Sequence, residues 1–248
     1  MPGYHAFMFF QRGRWPLWAV ASVLLAGAIG SAHADSPGAQ TLSAAEIVDQ
    51  MQRHNETQSA GLQHYQAVRH YSVEYQSIYK HIAAAMEVEV KYDKGSGKSF
   101  RILSQSGSKL LCEKVLKRAV DSEREASQDK GSTALTPANY RFELAGSESL
   151  AGRPAYILHV EPISASKFLY RGKIWVDATD FAVVKIDAEP AKNPSFWISR
   201  TLIRSSNAKT GEFWLAQQNR SESKVRIGGT AVFTIDYGKY EIESNAPR

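Results

Sequence analysis

The chain has 248 residues, with 30 Lys and Arg against 25 Asp and Glu, seven His and a single cysteine. A formal charge of +5 over that length is too dilute to form a nucleic-acid surface. One cysteine excludes an intramolecular disulfide, so stability has to come from a packed apolar core.

Residues 1–34 contain no Asp or Glu. Arg12 and Arg14 precede an apolar run from Trp15 to Ile29, and Ala32-His33-Ala34 supplies the small-x-small pattern that a signal peptidase reads. A transmembrane anchor needs roughly 20 apolar residues in a row. This run is shorter and is broken at Gly27, Gly30 and Ser31. The pattern predicts a cleaved signal peptide over 1–34 and a soluble, exported, periplasmic chain from Asp35. The two arginines are not adjacent, which favours the general secretory route over the twin-arginine one, and no cysteine follows to carry a lipid anchor. Cleavage would leave 28 Lys and Arg against 25 Asp and Glu, a net +3.

Residues 35–42 read as a flexible tail. Ser43-Ala44-Ala45-Glu46 is a capping box. It predicts a helix with Ile47, Val48 and Met51 as its apolar stripe, ending near His54. From Gln63 the period changes to two. Tyr65, Ala67, Arg69, Tyr71, Val73 and Tyr75 alternate with more polar neighbours, as in a long half-buried strand. Met86, Val88, Val90 and Tyr92 repeat the pattern, and Lys94–Lys98 forms a turn into a return strand at Phe100–Leu103. A second helix is predicted over Ser108–Gln128. Leu111, Cys112, Val115, Leu116, Ala119 and Val120 lie on its apolar face, with Lys114, Lys117, Arg118 and Glu123 on the polar one. Cys112 sits among Leu110, Leu111, Val115 and Leu116, a setting for a buried, inert thiol.

After a polar stretch over Asp129–Pro137, strand follows strand: Tyr140–Ala145, Pro154–Pro162, Tyr170–Asp177, Phe181–Glu189, Ser195–Ser205, Glu212–Glu222, Lys224–Ile227 and Ala231–Ile242. Turns at Gly152, Asp177–Asp180, Asn193-Pro194, Lys209–Gly211 and Gly228-Gly229 are short enough to join antiparallel neighbours. The prediction is a mainly β (α+β) chain: one curved antiparallel sheet of about ten strands with two helices, since a sheet of that size curls. Phe213 and Leu215 oppose Trp214, and Ala155 and Ile157 oppose Tyr156 and Leu158, so several strands are apolar on both faces. The helices can cover one face. The other calls for close packing, strand closure, a partner or a ligand.

Motifs for chemistry are lacking. Gly97-Lys98-Ser99 has Tyr92 where a phosphate-binding loop needs its first glycine, and a strand follows instead of a helix. His159 with Glu161, and His64 with His70, read as solvated strand faces rather than metal ligands. There is no Gly-x-Ser-x-Gly elbow. Asn55-Glu56-Thr57 and Asn219-Arg220-Ser221 fit the glycosylation triplet, a pattern short enough to arise by chance.

Three segments resemble a known group. They are Leu150-Ala151-Gly152-Arg153-Pro154-Ala155-Tyr156-Ile157-Leu158, then Gly172–Asp177 with Phe181–Ile186, and the closing Phe233-Thr234-Ile235-Asp236-Tyr237. In order and spacing they are similar to the LolA/LolB/RseB-like superfamily of periplasmic lipoprotein-binding proteins. The resemblance implies an unclosed β-barrel of about eleven strands over 43–248, its open side plugged by helices around an apolar cavity for acyl chains. It implies a non-enzymatic carrier for a lipid or a lipoprotein acyl chain in outer-membrane lipoprotein sorting, without a cofactor. Leu111, Val115, Trp175, Val184, Trp197, Trp214 and Phe233 would line the cavity or its lid. The carriers' proline is missing at Lys91-Tyr92-Asp93-Lys94, so their functional arginine has no assigned counterpart here. A module that docks envelope proteins or senses stress, and a hydrolase built from scattered polar residues, are the other readings.

Overall fold

The computed structural model describes residues 42–128, 130–166, 168–193 and 195–244; the predicted leader and the tail up to Thr41 lie outside the described residues. Helix α1 (Ala44–Gly61) is followed by strands β1 (Leu62–Gln76), β2 (His81–Asp93) and β3 (Gly97–Gly107). The mid-chain helix comes next as α2 (Lys109–Leu111), a π-helical turn (Cys112–Leu116) and α3 (Lys117–Gln128), with a further helical turn, α4 (Lys130–Thr133). Eight strands complete the chain: β4 (Tyr140–Leu150), β5 (Arg153–Pro162), β6 (Tyr170–Asp177), β7 (Val183–Pro190), β8 (Ile198–Thr210), β9 (Phe213–Val225), β10 (Thr230–Tyr237) and β11 (Glu241–Ser244).

All eleven strands join one unclosed antiparallel sheet in the order β3-β2-β1-β10-β9-β8-β7-β6-β5-β4, with β11 also paired to β1. The mid-chain helix connects its two edge strands, β3 and β4, and packs on the inner face over β1–β3, β9 and β10. Gly107 makes that departure possible. Its φ is +82°, and a Cβ there would stand 2.4 Å from the Ala83 carbonyl oxygen. The next residue, Ser108, donates its amide to the same oxygen at 2.8 Å and caps α2 through its hydroxyl.

The capping box at Ser43 and Glu46 forms in both directions. Helix α1, however, continues seven residues past His54, through a stretch whose sequence carries no apolar stripe. Tertiary contacts hold this extension. The Gln58 side chain donates to the Glu212 carbonyl at 3.0 Å and accepts from the Trp214 amide at 3.1 Å. Most strands run longer than expected, because polar residues at their ends still pair in the ladder. The segments around Glu212–Glu222 and Lys224–Ile227 are one strand, β9, while Ala231–Ile242 is divided into β10 and β11.

Two cores lie on the inner face. One packs Ile47, Val48 and Met51 of α1 against Leu158, Val160, Ile174, Val176, Val183 and Ile186. The other packs Leu111, Cys112, Leu116, Ala119 and Val120 of the mid-chain helix against Tyr65, Tyr71, Val88, Phe233 and Ile235. A small third cluster of Ala155, Trp175 and Val184, flanked by Ile157 and Trp214, occupies the outer face. Strand alternation turns Ala155, Trp175 and Trp214 away from inward-pointing neighbours such as Leu158, Ile174 and Leu215, and a bulge in β7, where Val183 pairs with Val176 and Lys185 with Trp175, leaves Val184 on the same outer side.

Candidate functional site

The mid-chain helix meets the sheet through an apolar contact with a charged centre. Arg69 occupies the inward phase of β1, where every flanking residue of that phase is aromatic or aliphatic, and it is 1% exposed. Its Nη1 donates to both carboxylate oxygens of Glu123 on α3, at 2.9 and 2.7 Å. Lys98 at the start of β3 donates to Glu123 Oε1 at 2.8 Å, and Tyr71 Oη donates to Oε2 at 3.4 Å. The guanidinium also stands over the Tyr237 ring, 4.6 Å from its centroid. Glu123 was expected on the polar face. It follows Cys112, Leu116 and Ala119–Val120 at helical spacing and shares their buried face, because two cations wait for it there.

Burial opposes ionisation of Glu123, but Lys98 and Arg69 override it and hold its carboxyl down at about 2. Burial also pulls the Lys98 ammonium below its ordinary range and pushes the Tyr65 phenol up to about 12. Tyr65 Oη and Arg69 Nε are buried without a hydrogen-bond partner among the described residues. Apolar residues of the same volume at such a site would often be as stable or more stable, by about 1–4 kcal/mol. The triad is therefore poorly explained as a source of stability. It ties α3 to β1 and β3 through a discrete, directional contact.

The helix itself carries a second irregularity. Over Cys112–Leu116 it widens into a π turn, with the Lys117 amide donating to the Cys112 carbonyl. Such turns concentrate at functional sites because they re-aim side chains at the cost of regular hydrogen bonding. Cys112 is buried in this turn, its thiol 3.5 Å from the Ser106 carbonyl oxygen.

The seven residues expected to line a cavity or lid separate into three places. Leu111, Val115 and Phe233 come together beneath the mid-chain helix. Trp175, Val184 and Trp214 gather on the outer face. There, Trp175 Nε1 donates to Glu148 and Lys185 Nζ stands 4.0 Å from the Trp175 ring centroid. Trp214 Nε1 donates to Asp180 at 2.9 Å. Trp197 lies in the turn just before β8 and is 57% exposed. Arg69, Lys98 and Glu123 were absent from the expected set. The signal for Arg69 was legible, as a cation in the apolar phase of a strand; Lys98 sits in a turn-like stretch and carried none.

A polar cleft of about 240 Å³ opens elsewhere, between the end of β7 and the start of β8, lined by residues that include Arg171, Glu189, Asn193 and Arg200. Its lining suits neither an acyl chain nor a metal. Among the described residues, no three His, Cys, Asp or Glu side chains converge to hold a metal ion, and no helix is long and apolar enough to cross a membrane.

No protein-family model and no curated protein matches the chain. Solved structures do. The chain is similar to a DUF1329 family protein from Desulfovibrio piger, with 13% identity and a TM-score of 0.44 over 84% of this chain and 96% of that one. It is similar to a LolA superfamily protein from Nitrosomonas europaea, with 12% identity and a TM-score of 0.36 over 84% and 96%. A third is a putative outer membrane lipoprotein-sorting protein domain from Vibrio parahaemolyticus, with 8% identity and a TM-score of 0.41 over 81% and 94%. These structures include the group that the sequence motifs resemble.

Proposed function

We propose that the protein is a non-enzymatic, extracytoplasmic binder or carrier of an apolar chain, a lipid or a lipoprotein acyl group, with the mid-chain helix as its lid. The observation that carries this reading is the buried Arg69–Glu123–Lys98 triad in an otherwise apolar helix–sheet contact. A permanent core would be served as well by apolar packing; a lid that must leave and return benefits from a registered, polar latch. With the lid displaced, the inner-face side chains of β1, β2, β9 and β10, Phe233 among them, and the lid's own Leu111 and Val115 become the ligand's walls. Each methylene buried there is worth about 0.8 kcal/mol, so a long acyl chain supplies enough free energy to displace the helix.

The test is binding of N-phenyl-1-naphthylamine to purified protein, together with mass spectrometry of solvent-extracted lipid. The expected result is saturable fluorescence that a triacylated lipopeptide displaces. In Arg69→Met/Lys98→Met/Glu123→Leu, where the latch becomes continuous apolar packing, probe binding should fall several-fold. Absence of both probe binding and co-purified lipid would sink the proposal. A stoichiometric complex with an envelope protein, formed without lipid, would replace it with the docking-module reading.

A further inference from the structure

The two rims of the sheet differ sharply. At one, the turns 93–97, 151–152, 178–182 and 211–212 carry none of the large apolar side chains that the described residues leave exposed. At the other, three neighbouring tips carry five. The β1–β2 turn presents Ile78 and Tyr79, 92% and 95% exposed. The segment leading into β8 presents Phe196 and Trp197, 77% and 57% exposed, and the β9–β10 turn presents Ile227 at 75%.

Sheet topology places these tips side by side. Gln76 at the end of β1 pairs with Thr230 at the start of β10, and Val225 at the end of β9 pairs with Ile198 at the start of β8. At about 4.8 Å per strand the row spans roughly 15 Å. The tips are tied together: the Arg226 amide donates to the Trp197 carbonyl at 2.8 Å, and Tyr75 Oη donates to the Gly228 carbonyl at 2.8 Å. Gly229, with φ +90°, lets the β9–β10 turn lie against β1, where a Cβ would meet the Gln76 carbonyl oxygen at 2.5 Å.

Charge follows the same division. Segments 75–81, 195–200 and 223–231 contain Lys80, Arg200, Lys224 and Arg226 and no Asp or Glu. Arg200 is balanced by Glu189 on β7, and Lys224 lies 4.0 Å from Glu222 on its own strand. The Arg226 guanidinium stands 5.4 Å from the centroid of the Phe196 ring, which itself meets the Trp197 ring edge-on at 5.6 Å.

We infer that this rim docks on a lipid bilayer surface bearing anionic headgroups. Protruding Trp, Tyr, Phe and Ile tips enter the boundary between headgroups and acyl chains, while the cations stay at headgroup level. A protein partner would favour a continuous flat or concave patch over separate tips. Backbone groups at the tips already bond one another, as the Ser77 amide does to the Lys80 carbonyl at 2.8 Å, so shallow insertion leaves few of them unpaired. The inference holds whether or not the lid covers a ligand.

The experiment is co-sedimentation of the full-length chain, as processed by the expressing cell, with sucrose-loaded vesicles of three parts phosphatidylethanolamine to one part phosphatidylglycerol. Parent and variants share any leader, so their difference carries the test. Binding should fall at least tenfold in Phe196→Ser/Trp197→Ser/Ile227→Ser and several-fold in Lys224→Glu/Arg226→Glu, with both variants melting near the parent temperature. Brominated acyl chains should quench tryptophan emission in the parent and not in Trp197→Ser. Equal sedimentation of parent and variants, no sedimentation of the parent, or a protein cross-linked at Trp197 in place of vesicle binding would overturn the inference.

Discussion

Helix α1 meets β4–β7 through Ile47, Val48 and Met51 set against Leu158, Ile174 and Ile186, apolar side chains at most 2% exposed. The mid-chain helix meets β1–β3, β9 and β10 through a similar apolar stripe, but with Glu123 in its path and Arg69 and Lys98 beneath it. Both helices cover the same face of the same sheet. Area burial alone would make them equivalent; the charged centre makes the second contact depend on three buried charges staying paired. An apolar contact weakens gradually as its area shrinks, whereas an ion pair that loses one member leaves a buried charge behind.

The largest effect expected is therefore at Glu123. Glu123→Ala strands Arg69 and Lys98 and should cost about 3–5 kcal/mol in urea denaturation. The apolar triple variant should recover that stability. If Glu123→Ala were as mild as a surface substitution, the distinction between the two helices would collapse. On the α1 side, Leu158→Ala should cost about 2–5 kcal/mol by leaving a cavity, while probe binding under the mid-chain helix stays unchanged.

Acid should separate the helices without mutation. The folded-state carboxyl of Glu123, at about 2, lies below its ordinary value of 4.5, so its contribution is fully present above pH 4.5 and is lost as pH falls toward 2. Protection factors of the amides in 117–128, corrected for the intrinsic exchange rate at each pH, should fall over that window by roughly an order of magnitude or more, with 44–54 lagging behind. The smallest effect sharpens the α1 side: Ser43→Ala removes half of the capping box and should cost about 1 kcal/mol, read as a lowered melting temperature with an unchanged pH profile.

The amino-acid sequence by itself determined the elements. Period-two alternation at Tyr65–Tyr75, the capping box at Ser43 and the apolar stripe from Leu111 to Val120 are local signals, and each element formed where its signal lies. Short turns likewise dictated antiparallel neighbours. Where an element ends, and which face a residue serves, was decided by the tertiary structure. The tail of α1 past His54 is held by Glu212 and Trp214, more than 150 residues away in sequence. Of the seven expected cavity residues, Leu111, Val115 and Phe233 share the contact between the mid-chain helix and the sheet, strand phase turned Trp175 and Trp214 outward, and a bulge in β7 did the same for Val184. Glu123 read as a solvated charge because nothing local distinguishes it from Lys114 or Arg118. Only the fold, by laying α3 across β1 and β3, brings Arg69 and Lys98 to it, since pairing depends on distance in space and not along the chain.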